Sequence, residues 1–284
     1  MIMYAVLDQQ NWDRTAHQRI VLSKNLGKVV HALLLTKQDI LIQQNNHQNK
    51  QQVSFSVIKI ETINKASQYL IDGVDVNLSG NLSQKLVHLA DQLLLLNKLL
   101  LKGGSFQKKI TLIDNINKYI LNIINELSVE KHKMFNLYAY VALIIGKEKL
   151  VNEMALVQKA ISVGEIKHAL GDDLIKAQHS RAIYFKAFAD MVEATGKYNQ
   201  NLITQLSQYD RRAAVFTTKY LQLKLLQLNR LFKAVHQMEI SYLTDREQLF
   251  AQHKQKQRML YFYLVLICSL LLVSFGLLRV YSIH

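Results

Sequence analysis

Apolar positions along this chain recur at helical steps, most regularly toward its C-terminal end. Leu221, Leu225, Leu228, Phe232, Val235, Tyr242 and Leu249 follow alternating four- and three-residue steps, with Glu239 and Arg246 at the two intervening positions. Such a stripe packs against a partner. The first expectation is a seam inside the chain's own bundle, because the preceding segments carry matching apolar faces; a homodimer through residues 211–258 is the alternative. Upstream, the pattern is punctuated by the Gln/Asn-rich residues 43–52, by Gly73 to Gly80, by Gly103-Gly104-Ser105, and by Gly164, Gly171 and Gly196. Between these breaks the spacing predicts helices near 14–42, 53–71, 81–102, 106–127, 130–163, 166–194 and 199–209, then a very long one from about 211 onward.

The stretch from Met259 to Leu278 reads MLYFYLVLICSLLLVSFGLL, twenty residues without a charge. At helical rise it covers roughly 30 Å, enough to cross a hydrocarbon core. Tyr261 and Tyr263 fall at one interface and Tyr281 at the other. Lys254, Lys256 and Arg258 flank the near side and only Arg279 the far side, so the positive-inside bias puts the bulk of the chain in the cytoplasm of a bacterial inner-membrane protein. A periplasmic bulk is the alternative. The reading divides the chain into a lead-in (1–13), a helical bundle (14–245), a basic juxtamembrane stalk (246–258), a transmembrane helix (259–281) and a tail (282–284).

Composition agrees with an all-α fold. Among 284 residues there is no proline, and half are apolar, which allows a real core. The expected architecture is an elongated up-and-down assembly of two stacked four-helix bundles with a C-terminal membrane helix. The formal charge is +14, from 35 Lys+Arg against 21 Asp+Glu. These cations are dispersed, with no arginine cluster, zinc-finger spacing or stacking motif, so an acidic lipid leaflet suits them better than nucleic acid. Cys268 is the only cysteine and lies within the apolar stretch, so neither a disulfide framework nor a thiolate metal site can form. The N-terminal Met1-Ile2-Met3-Tyr4-Ala5-Val6-Leu7 turns polar at Asp8, too short and too poorly flanked for an export signal.

Candidate chemistry is sparse. No P-loop, dinucleotide fingerprint or nucleophile elbow occurs. Of ten histidines, only Glu165-Ile166-Lys167-His168 gives a Glu-x-x-His spacing, and a di-metal bundle needs that motif twice. Glu165, His168, Asp172 and Asp173 read as a solvated helix surface. The chain is therefore read as non-enzymatic, without metal or cofactor.

One stretch carries a resemblance. Phe135 to Phe188 is similar to the nitrate- and nitrite-sensing domain family, in which an A-Y-x-x-L-x-x-x-K-E helix runs into G-x-E-R-A, then a small-residue helix ending in Gly, then a Gln-bearing helix before an aromatic run. Ala139-Tyr140, Leu143, Lys147-Glu148, Glu153, Ala155, Gly164, Gln178 and Phe185 occupy the matching places. Leu26 to Leu33, including His31, resembles the family's first helix; Thr62 to Ala66 and Ile110 to Ile113 are weaker echoes. The similarity covers roughly residues 20 to 245. It implies an all-helical pair of up-and-down bundles and a small anion held between helices by arginines of two Glu-Arg motifs. Here Lys37 stands in place of the first arginine, without the preceding glutamate, and Met154 in place of the second. Lysine offers one point charge and methionine no donor. Lys37 with Arg181 is the expected substitute anion pair. No output domain follows Leu278, so a signal is expected to pass to a separate partner or a second copy. The alternative is a degenerate sensor fold that serves as a membrane-tethered interaction module.

Overall fold

The computed structural model describes residues 2–47, 64, 68, 80–102, 105–128, 137–163, 168–192, 198, 200–208 and 217–281; for residues 2–17, 45–47, 80, 168–169 and 276–281 it describes the backbone alone. Among the described residues there are seven helices and no strand. They are α1 (Ile2–His47), α2 (Gly80–Lys102), α3 (Phe106–Ser128), α4 (Tyr138–Val163), α5 (His168–Val192), α6 (Gln200–Ser207) and α7 (Thr218–Tyr281). Of the helix expected at 53–71 only residues 64 and 68 are described, and the start of the one expected at 130 lies outside the described residues.

Local chemistry explains several boundaries. The Ser105 hydroxyl accepts the Lys108 amide at 3.2 Å and starts α3, and the Thr217 hydroxyl accepts the Tyr220 amide at 3.3 Å and starts α7. One boundary differs from expectation. Helix α1 begins at Ile2 rather than near 14, and it continues to His47 through part of the Gln/Asn-rich run. Residues 2–26 contain no glycine and the chain no proline, so nothing in the lead-in stops a helix once α1 has nucleated. Gly171 likewise stays within α5.

Contacts between named side chains set the helix directions. Lys24 meets Glu247 at 2.9 Å and Gln38 meets Asn229 at 3.2 Å, so α1 and α7 run antiparallel. Tyr140 meets Glu239, and Glu153 meets Lys224, which makes α4 antiparallel to α7 as well. Arg181 against Glu153, with Phe185 beside Gly146, sets α5 antiparallel to α4. Helices α1, α4, α5 and α7 thus form one four-helix set, two running each way. Helices α2 and α3 form an antiparallel hairpin closed by Lys85–Glu126 and packed on α1. The second expected bundle therefore has three described members, α1, α2 and α3.

One continuous apolar core runs through both sets, from Leu26, Leu33 and Ile40 on α1 through Ile113 and Ile120 on α3 to Leu143, Phe185 and Val235. The α7 stripe faces inward within its own chain: Leu221, Leu228, Phe232, Val235, Glu239 and Tyr242 are buried. Below Tyr242 the stripe drifts. Leu249 is 38% exposed and Phe250 4%, as expected when a heptad pattern is laid on a straight helix that turns about 20° per heptad relative to it. Beyond Phe250, α7 continues as one helix into a stretch of mean hydropathy 2.1 with none of it buried. It is the one helix among the described residues long and apolar enough to cross a membrane.

Candidate functional site

Two polar clusters interrupt the core, both on the α4–α7 contact. The first is centred on Glu239, which occupies a seam position of α7 and is 3% exposed. Its Oε2 accepts from Lys147 Nζ at 2.5 Å, and its Oε1 accepts from the Tyr140 hydroxyl at 3.1 Å. His236 Nδ1 lies 3.3 Å from both Lys147 Nζ and Glu239 Oε2, accepting from the lysine in one tautomer and donating to the carboxylate in the other. The His31 ring stacks on His236 at 3.6 Å and on Phe232 at 5.5 Å. Tyr140 reaches this position because residue 27 of α1 is glycine: a Cβ there would collide with the tyrosine hydroxyl and lie 2.8 Å from Glu239 Oε1.

Burial and charge oppose each other in this cluster. Burial alone would raise the Glu239 carboxyl, but the Lys147 ammonium and the hydrogen bond from His236 outweigh it and hold the group below its ordinary value. Burial pushes the Lys147 ammonium down, and Glu239 offsets part of that. Burial, with the charges of Lys147 and His236, takes His31 down to about 3, so its ring is neutral near neutral pH. Burial and the neighbouring carboxylate raise the Tyr140 hydroxyl. Both Glu239 oxygens are engaged, which suits a pin that sets the register of α4 on α7 rather than a proton-transfer site.

The second cluster surrounds a cavity of about 340 Å³ lined by Glu153, Gln178, Arg181, Gln205, Gln208, Lys224 and Gln227, floored by Leu228 and Leu231. Glu153, fully buried, accepts from Arg181 Nε at 2.7 Å, and Lys224 Nζ lies 3.5 Å from its other oxygen. The remaining guanidinium nitrogens donate to the carbonyls of Leu206 and Gln208, the latter at 2.9 Å. Those carbonyls lie at the C-terminal end of α6, so Arg181 caps that helix while it pairs with Glu153. The wall combines two cations, one carboxylate and four carboxamides, a set suited to a small polar ligand bearing negative charge. Among the described residues, no group of three or more His, Cys, Asp or Glu is placed to hold a metal ion.

The residues singled out by sequence are distributed as follows. His31 and Lys147 join the Glu239 cluster, while Glu153 and Arg181 line the cavity. Met154 is buried in the apolar core, and Glu148 lies part-buried 3.8 Å from Lys149. Lys37 is buried on α1 and bonded to Asp114 of α3 at 2.5 Å; it does not line the cavity, so Lys37 and Arg181 do not share it. Lys254, Lys256 and Arg258 lie on α7 just before the apolar stretch, and Arg279 within its last turns. Sequence reasoning missed Lys224, Gln205, Gln208, Gln227 and His236. The one available signal was Glu239, a charge at a seam position, which requires a buried counterion on a neighbouring helix. No protein-family model, curated protein or solved structure matches the chain.

Proposed function

We propose that the chain is a membrane-anchored, non-enzymatic sensor protein related to the nitrate- and nitrite-sensing domains, its bundle on the cytoplasmic side of a bacterial inner membrane, and that it binds a small anion and signals through a separate partner. The observation that carries this reading is that Lys224, Gln227, Leu228 and Leu231, which form one wall of the polar cavity, belong to α7, the helix that continues into the apolar stretch. An anion bound there competes with Glu153 for Lys224, 3.5 Å away, and so acts on a helix continuous with the anchor. Titration calorimetry of the detergent-solubilised chain with nitrate, nitrite and other small anions tests it. Heat and thermal stabilisation that disappear in Lys224→Gln support the proposal; neither heat nor stabilisation at millimolar anion counts against it.

A second reading draws support from the same cluster. Arg181 is fully engaged by Glu153 and two carbonyls, and Lys37 by Asp114, so the cations of the expected anion site serve the bundle itself. Under that reading the chain is a membrane-tethered interaction module, and calorimetry gives no heat with any small anion. Protease protection in right-side-out spheroplasts separates the two topologies: a cytoplasmic bundle survives and a periplasmic one is cleaved.

A further inference from the structure

Helix α1 is continuous from Ile2, and its register against α7 is set by His31 stacked on His236 and Gln38 bonded to Asn229. Trp12 lies nineteen residues before His31, and Gln255 lies nineteen residues after His236. At about 1.5 Å per residue both are roughly 28 Å from that stacked pair, so Trp12 is level with Gln255, one turn before the apolar stretch of α7 begins at Met259. Arg14 is then level with His253, beside the band of Lys254, Lys256 and Arg258, where cations meet lipid phosphates. Ile2 to Leu7, six residues without charge, lie beyond that level.

We propose that the N-terminal end of α1 dips into the leaflet that α7 enters, giving the bundle a second, shallow contact with lipid. Ile2 to Leu7 cover about 9 Å of helix, a fraction of the roughly 30 Å core and the depth of an interfacial insertion. Asp8 and Asp13 behind it keep the next turns among headgroups, the depth at which tryptophan is enriched. The apolar stretch of α7 is unburied, and lipid is the apolar phase at that level. On α7 itself, Gln252, Gln255, Lys256, Met259, Leu260 and Tyr263 border a groove of about 460 Å³ that passes from polar to apolar across the same level. The inference rests on the reading that α7 crosses the membrane.

Trp12 is the only tryptophan, so its emission reports residue 12 alone. The full chain is reconstituted in phosphatidylcholine/phosphatidylglycerol vesicles, with or without bromine on the acyl chains near the headgroups, and floated on a density gradient. The chain is expected to float, with Trp12 emission about halved by the brominated lipid, as for an indole at the headgroup boundary. Flotation with unchanged emission overturns the tip and leaves the anchor standing; failure to float overturns both. In the Ile2→Asp/Val6→Asp double variant flotation is expected to persist and quenching to be lost. Quenching that persists in that variant also overturns the inference, because the lipid contact would then not depend on the apolar run.

Discussion

Glu239 and Lys147 are each nearly inaccessible, so neither can leave without stranding the other. Lys147→Met leaves an unpaired buried carboxylate and is expected to cost about 3–5 kcal/mol, read as a lowered Tm of the detergent-solubilised chain. Adding Glu239→Leu is expected to recover most of that loss, because a buried pair is often replaceable by apolar groups even when neither half can be removed alone. His31 sets the pH dependence. Its folded value of about 3 lies below its unfolded value of 6.5, so the unfolded chain binds more protons between these limits and stability falls as pH drops through that window. Glu239, also depressed, adds stability that is present above its unfolded value of 4.5 and lost as pH falls through its lower folded value. His31→Phe is therefore expected to flatten Tm against pH above 4.5 while the steeper fall below it remains.

Pairs of helices approach closely where a glycine makes room. Gly27→Ala drives a methyl into the Tyr140 hydroxyl and is expected to destabilise by about 1–3 kcal/mol, whereas Gly27→Ala with Tyr140→Phe, which removes that hydroxyl, regains part of it in chemical unfolding. Arg181→Ala removes the partner of Glu153 and the cap of α6 together, so amide exchange should quicken in Gln200–Ser207 before the rest of the bundle opens. These elements differ in how legible they were. Helix limits near Lys102, Phe106 and Val163 follow from breaks visible in sequence, since glycine and capping hydroxyls act locally. The start of α1 did not, because polar residues 8–13 resemble a lead-in although nothing in them stops a helix. The pairing of Lys37 with Asp114 joins residues 77 apart, and the capping by Arg181 depends on where α6 ends. Both are decided by tertiary packing, which no periodicity reports. A seam charge such as Glu239 announces that a counterion exists but not which helix supplies it.

Across the whole molecule, α7 is at once a wall of the bundle and the carrier of the unburied apolar stretch, and the change of role occurs over a few residues. Phe250 is still buried, whereas Met259, Leu260 and Phe262 through Phe275 are exposed, so the bundle owes little of its core to the apolar stretch. Removing residues 259–284 should therefore leave the fold intact: circular dichroism is expected to show the same strongly helical signal, and the shortened chain should move from the membrane pellet to the supernatant at moderate salt. Salt matters because Lys254, Lys256, Arg258 and a formal charge of +14 give residual attraction to an acidic leaflet that weakens as the Debye length shrinks. Shallow insertion of Ile2 to Leu7, about 9 Å of helix, is not expected to hold the bundle there unaided, since stable anchoring of that kind requires two signals. A shortened chain that stays in the pellet through a salt wash would move the anchor out of α7 and into α1, and the cavity wall on α7 would then lose its connection to the membrane.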